Sequence, residues 1–144
     1  MEITVQKMNA ASLADAAMIE STVPDAWSAA QLAEALHSSL WLCLLARADG
    51  AAAGTCIIQM ADDTAEIHAV SVLPAYRRCG IGAALLQAAA AAVRPQAARL
   101  LLEVRESNEG AKALYTKLGF TVLGVRRDFY TNPRESAVIM EWKL

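Results

Sequence analysis

Six residues near the middle of the chain, Arg77-Arg78-Cys79-Gly80-Ile81-Gly82, combine the features a phosphate site needs. Glycines at 80 and 82 remove side chains from a surface that a diphosphate would approach, and the two arginines place positive charge beside it. If a helix opens directly after them, its unpaired backbone amides and about half a positive charge converge on the same point. Other phosphate motifs fail on residues. A dinucleotide fingerprint wants a third glycine near position 85, which is Leu85, and a nucleoside-triphosphate loop wants Gly-Lys-Ser/Thr, which is absent. On this hexapeptide alone, a glycine turn that merely caps a helix stays open.

The flanks supply the strand and helix that such a loop needs. Thr64 to Leu73 reads as a strand, and Pro74 stops its pairing because proline offers no backbone donor. Ala83 to Val93 is rich in Ala and Leu, has high helix propensity, and is closed by Pro95.

Upstream, Ile3 to Met8 alternates as a strand should, and Ala11 to Glu20 has the apolar spacing of a helix. Ser28 and Gln31 form a capping box before a helix with Leu32, Ala35 and Leu36 on one face. Leu40 to Arg47 and Ala52 to Met60 read as strands joined through the turn pair Asp49-Gly50.

Downstream, Arg99 to Val104 reads as a buried strand, and Ser107 or Asn108 can cap a helix whose inner stripe is Ala111, Leu114, Tyr115 and Leu118. Gly119 suits the left-handed position that ends it. Phe120 to Val125 and Ala137 to Trp142 complete the strands, connected through Thr131-Asn132-Pro133-Arg134. Hairpins followed by strand-helix-strand-helix-strand describe an α/β domain whose mixed, mostly antiparallel sheet carries about four helices on its two faces.

Bulk properties exclude several classes. A chain of 144 residues fits one domain, residues 1–144, that buries about 68 to 70 % of its unfolded surface. The longest nearly apolar stretch, Ile81 to Val93, falls short of the roughly 20 residues a membrane span needs. The start, Met1-Glu2-Ile3-Thr4-Val5-Gln6-Lys7, lacks the apolar run of a secretory signal, so a soluble cytoplasmic protein is expected.

Lys plus Arg number 13 against 15 Asp plus Glu, which gives no global basic field to recruit nucleic acid. Cys43 and Cys56 read as structural thiols, and Cys79 reads as a tolerated loop residue, though neighbouring positive charge could lower its thiol pKa. No cysteine pair has disulfide-framework or zinc spacing, and His37 and His68 are too isolated to suggest a metal.

Arg-x-x-Gly-x-Gly after a Val70-Ser71-Val72 strand resembles the coenzyme A loop of the GNAT N-acetyltransferase superfamily. Leu102 to Phe120, with Glu103-Val104-Arg105, Ser107-Asn108 and Ala113-Leu114-Tyr115 inside it, resembles the signature of its bacterial ribosomal-protein alanine N-acetyltransferase branch. Trp27-Ser28, Arg127-x-Phe129-Tyr130 and Glu135 to Met140 stand where that branch has similar residues, so the resemblance covers nearly the whole chain.

It implies a single GNAT-like acyl-CoA N-acyltransferase domain using acetyl-CoA as cosubstrate. Val70 and Val72 would face the pantetheine and the thioester, and Arg77, Arg78, Gly80, Gly82 and Ala83 would hold the diphosphate. Asn108 would contact the coenzyme, Glu103 and Tyr115 would be base and acid, and Trp27 and Tyr130 would meet the acceptor, Tyr130 as a lid over the peptide N-terminus. Phe129 departs from the branch, which has tyrosine there, as does Leu73, where an acidic residue is common.

The chemistry fits those residue types. An ammonium must lose a proton before it attacks a thioester, and a carboxylate such as Glu103 can take it directly or through water. A phenol such as Tyr115 can protonate a leaving thiolate, and a backbone amide near Val72 could meet a developing oxyanion. The blander readings pair Glu103 with Arg105 or Arg99 and leave Tyr115 as core packing. His68, close to Val70, could orient substrate or relay a proton if it points into the cleft.

The expected acceptor is the N-terminal α-amino group of a ribosomal protein beginning with Ala. The alternatives are a small-molecule amine, a lysine side chain, or a coenzyme sensor without turnover. Sequence selects no oligomeric state.

Overall fold

The computed structural model describes residues 1–144. Seven strands form one sheet: β1 Ile3–Lys7, β2 Trp41–Ala48, β3 Ala51–Ala61, β4 Thr64–Val72, β5 Arg99–Arg105, β6 Thr121–Thr131 and β7 Arg134–Lys143. Four helices accompany them: α1 Leu13–Glu20, α2 Ala29–Leu36, α3 Ile81–Val93 and α4 Glu109–Leu118. The sheet order is β1-β2-β3-β4-β5-β7-β6. Every neighbouring pair is antiparallel except β4 and β5. The sheet is therefore mixed and mostly antiparallel, as the element order implies.

Alternation along the strands assigns the helices to faces. Leu44 and Ala46 of β2 join Leu100, Leu102 and Val104 of β5 in a core under α3 and α4. Cys43 and Leu45, one residue out of phase, join Ile57 in a second core under α1 and α2. Successive strand side chains point to opposite faces, so one sheet serves two cores. Complete burial of each leucine or isoleucine contributes roughly 1.5 to 3 kcal/mol.

Several boundaries differ from the sequence reading. The first helical stretch is a short 3₁₀ turn, Ala10–Ser12, running into α1, because Asn9 and Ser12 form a capping box of their own. Helix α3 begins two residues early, at Ile81, because Gly80 sits in the left-handed region at φ 88° and serves as its N-cap. Strand β6 runs on to Thr131, well beyond Val125. Its outer edge has no strand partner, so its residues are largely solvent-facing and give no apolar alternation to read. Ser28 and Gln31 form the expected capping box, and Gly119 ends α4 at φ 122°. No helix is long and apolar enough to cross a membrane.

Candidate active site

The site arises where two neighbouring strands part. Parallel pairing of β4 with β5 covers only Thr64 to Ile67 against Arg99 to Leu102. The cause lies on the other side of β4, where Ile57 pairs with Ala69 and Ile58 with Ile67, leaving His68 as the extra residue of a bulge. A bulge bends its strand and ends regular pairing. From His68 to Val72 one edge of β4 therefore faces a gap instead of a strand, and Glu103 to Arg105 of β5 face it from the opposite side.

A cleft of about 720 Å³ fills this gap. Its walls bring together Val70, Val72, Arg77, Arg78, Gly80, Gly82, Ala83, Glu103, Asn108, Tyr115 and Tyr130. At one end the starts of two helices open into it, α3 behind Gly80 and α4 behind Asn108. Asn108 accepts the Ala111 amide at 3.2 Å through its side chain, and so caps α4 itself. Two helix N-termini with Arg77 and Arg78 beside them make this end attractive to anions.

Individual residues depart from the simplest expectation. The Arg77 Nε–H donates to the Val72 carbonyl at 3.4 Å, which folds that side chain back over the end of β4. A Cβ on Gly82 would lie 3.1 Å from a Leu114 methyl, so this glycine lets α3 approach α4 closely. Arg78 holds a left-handed backbone at φ 61°, which costs about 1 kcal/mol or more.

A second cleft of about 590 Å³ lies against the first, bordered by Glu66, Arg126, Phe129 and Thr131. The two share Asp25, Ile67, His68, Leu102, Glu103 and Tyr130. Strand phase explains how Glu103 serves both. Leu102 and Val104 point under α4, so Glu103 points to the face of α1 and α2. Tyr115 rises from α4 on the other face, and the gap between β4 and β5 lets both reach one cleft.

Glu103 lies 3.1 Å from Arg126 of β6, rather than beside Arg105 or Arg99. Arg105 is engaged by Asp25 and Glu135, while Arg99, four residues away and about 13 Å along the strand, is taken by Thr64 and Glu141. Arg126 also sits over the Phe129 ring at 5.3 Å. Its range of partners crosses the sheet, which no local sequence signal reveals.

The Tyr115 ring is buried against Phe120, yet the hydroxyl has no hydrogen-bond partner in the chain and its residue lines the cleft. Burial pushes its pKa up, with the charges of Cys56 and Tyr130 adding to the effect. Burial also raises the Tyr130 phenol, helped by Glu103 and opposed by Arg105.

His68 faces both clefts, with Nε2 3.0 Å from Gln59. Burial lowers its pKa, against the pull of Glu66 and Glu103. Trp27 lines neither cleft. It stacks edge-on against Trp41 at 5.1 Å and lies 6.3 Å from His68, so it backs the wall instead of forming it. No cluster of three or more His, Cys, Asp or Glu side chains is placed to hold a metal.

Residues 10–120 match the model of the acetyltransferase (GNAT) family. The chain belongs to the GNAT acetyltransferase family. A ribosomal protein bS18-alanine N-acetyltransferase of Escherichia coli is 41 % identical over 95 residues, 64 % of each chain. The corresponding Salmonella typhimurium enzyme is 33 % identical over 131 residues, covering 82 % of this chain and 88 % of its own. The crystal structure of the Escherichia coli ribosomal-protein-S18-alanine N-acetyltransferase superposes with a TM-score of 0.88 at 33 % identity, over 99 % of this chain and 94 % of that one. Against the first curated relatives, this GNAT chain spans only 62 to 65 % of their length.

Proposed function

We propose that the chain is a single-domain cytoplasmic N-acetyltransferase that uses acetyl-CoA to acetylate the N-terminal α-amino group of a ribosomal protein beginning with Ala. The observation that carries this reading is that Glu103 stands at the junction of two clefts. One has an anion-binding end suited to a coenzyme, and the other is open to an acceptor. The names of the Escherichia coli and Salmonella typhimurium relatives, alanine N-acetyltransferases of ribosomal protein S18, supply the acceptor class.

The residues present fit acetyl-CoA. Arg77, Arg78 and the amides from Gly80 to Ala83 would hold its diphosphate, Asn108 would lie beside it, and the exposed edge of Val70 and Val72 would take the pantetheine. When bound, the coenzyme supplies an activated acetyl thioester. Glu103 accepts a proton from the acceptor ammonium, directly or through a water. Tyr115, kept protonated by burial, donates from the opposite face of the sheet toward the sulfur that leaves. Tyr130 closes over the acceptor beside Asp25.

The test is intact-mass spectrometry of an Ala-initiated peptide panel with acetyl-CoA, alongside polyamines, aminoglycosides and internal-lysine peptides. Acetylation confined to the peptide α-amine is expected. Acetylation of the small amines or lysines with the Ala peptides untouched overturns the acceptor class, and no acetylation of any acceptor overturns the enzyme reading.

A further inference from the structure

We infer that Arg105 is a positioning residue that shapes the acceptor entrance and makes the site selective for extended acceptors over compact amines. This rests on the acceptor reading above. Arg105 projects from the gap-facing end of β5, two residues beyond Glu103, and its side chain is only 14 % exposed. Its guanidinium donates to the carbonyls of Pro133 at 2.8 Å and Asn132 at 3.3 Å, to Glu135 at 3.4 Å and to Asp25 at 3.2 Å. The Tyr130 ring lies against its face, 4.2 Å from centroid to carbon. Glu135 in turn accepts the Ser107 amide at 2.6 Å, one residue before the cap of α4.

One side chain thus ties together the loop after α1, the hairpin between β6 and β7, and the approach to the coenzyme end. A planar fork with several directed donors can satisfy these acceptors together, and a lysine ammonium cannot. The loop after α1 needs this restraint. Asp25 has a left-handed backbone at φ 59°, a conformation that persists only where the surroundings enforce it. Glu20 pins the same loop further on: fully buried, it accepts the Thr55 hydroxyl at 2.7 Å and the Trp27 amide at 3.2 Å. Arg105 is the matching tie on the cleft side.

Selectivity follows from what the tie positions. Asp25 and Tyr130 border both clefts, and the second cleft is ligand-sized. A compact amine occupies only the junction at Glu103, under Tyr130, and leaves the rest of the second cleft empty. An acceptor whose chain continues past its amine also lies along walls whose place Arg105 sets.

The experiment compares Arg105→Gln, Arg105→Lys and Asp25→Asn with the parent. It uses an Ala-initiated pentapeptide, alaninamide as the compact amine, and hydrogen exchange of the backbone. In Arg105→Gln the peptide KM should rise about tenfold, with acetyl-CoA and alaninamide KM within about twofold of the parent. Arg105→Lys should not rescue, and Asp25→Asn, which leaves β5 intact, should raise the peptide KM about threefold.

Amides of residues 21–28 and 131–136 should exchange faster in the Arg105 variants, a readout that needs no turnover. An unchanged peptide KM, an equal rise for both acceptors, rescue by lysine, or unchanged exchange in those segments overturns the role of Arg105. Should Arg105→Gln not fold, Asp25→Asn decides by the same KM split. A parent enzyme that acetylates neither acceptor counts against the acceptor reading alone, and the exchange data still decide for or against the tie.

Discussion

At Glu103, the proposed base, the work required depends on the amine presented. An α-amino group titrates near 7.7 to 8.0 and a lysine near 10.4, so reaching the neutral amine at pH 7 costs about 1.0 to 1.4 kcal/mol for the first and roughly 4.6 kcal/mol for the second. A single carboxylate beside an arginine, as Glu103 lies beside Arg126, suits the smaller demand. Glu103→Gln should therefore lower kcat/KM for an Ala peptide about a hundredfold at pH 7 while leaving coenzyme affinity, read by calorimetry, unchanged. The deficit should narrow toward pH 9, where the amine is already neutral. Equal activity of variant and parent from pH 6 to 9 removes the base. Tyr115 adds no alkaline limb to that profile, because burial holds its proton well above the usual phenol range. Because the buried phenol keeps its proton to higher pH than the unfolded one, its ionisation leaves stability unchanged below about pH 10 and lowers it above, where the unfolded phenol ionises first. Both residues stand out in sequence because they are chemically typed and sit inside a long signature. Arg126 does not: it reaches Glu103 across β7 from an edge strand with an irregular register, and such a meeting exists only once the sheet is assembled.

Among the elements, β4 decides the site, and what bends it was hidden. The strand itself, the proline that ends it, the glycine loop and the helix behind were all readable, because periodicity and turn chemistry are local. The bulge at His68 is a relation between two strands: Val-Ser-Val on β4 looks the same whether or not Ile57 and Ile58 slip past it. Trp27 is likewise set by tertiary neighbours. The resemblance puts it near the acceptor, and what sequence does not show is that Trp41 and His68 arrive from β2 and β4 to pack on it. The join between α3 and the sheet is also tertiary. Gly54 of β3 leaves room there: a Cβ at this position would stand 2.8 Å from the Ser71 carbonyl and 2.8 Å from the Ile81 side chain. The carbonyl is backbone of β4 and cannot turn away. Gly54→Ala should cost about 1 to 3 kcal/mol in urea denaturation, because overpacking displaces the start of α3. Gly124→Ala, where a Cβ meets nothing within 4 Å, should stay within about 0.5 kcal/mol of the parent. Equal effects of the two substitutions would show that the α3 junction is not tight.

For the molecule as a whole, two cores on one sheet predict a single unfolding event. Leu44 and Ala46 belong to one core and Cys43 and Leu45 to the other, all on β2, so neither side can open without disturbing the strand that the other needs. The fold class was legible from element order, since hairpins followed by strand-helix alternation leave few arrangements. The division into two cores follows from the alternation in β2 and β3 only when their helices are known to lie on opposite faces. A ligand held between β4 and β5 touches both halves: the cleft is lined by Ile81 and Leu114 from one side, and by Glu20 and Ala69 from the other. Acetyl-CoA at one hundred times its Kd should stabilise the folded state by about 2.7 kcal/mol, which for a chain of this size raises Tm by roughly 5 to 11 °C. Because the cleft spans the sheet, the entire transition should move upward without splitting, as seen by calorimetry and by tryptophan fluorescence, to which Trp27 and Trp41 report from one core and Trp142 from beside the other. Replacing Arg77 and Arg78 together by alanine should remove most of this rise while leaving the ligand-free Tm nearly unchanged, since both side chains are exposed and neither packs in a core. If the ligand shifted only one of two resolved transitions, the sheet would not couple its faces, and the proposed base on one face could not be held in fixed relation to the proposed acid on the other.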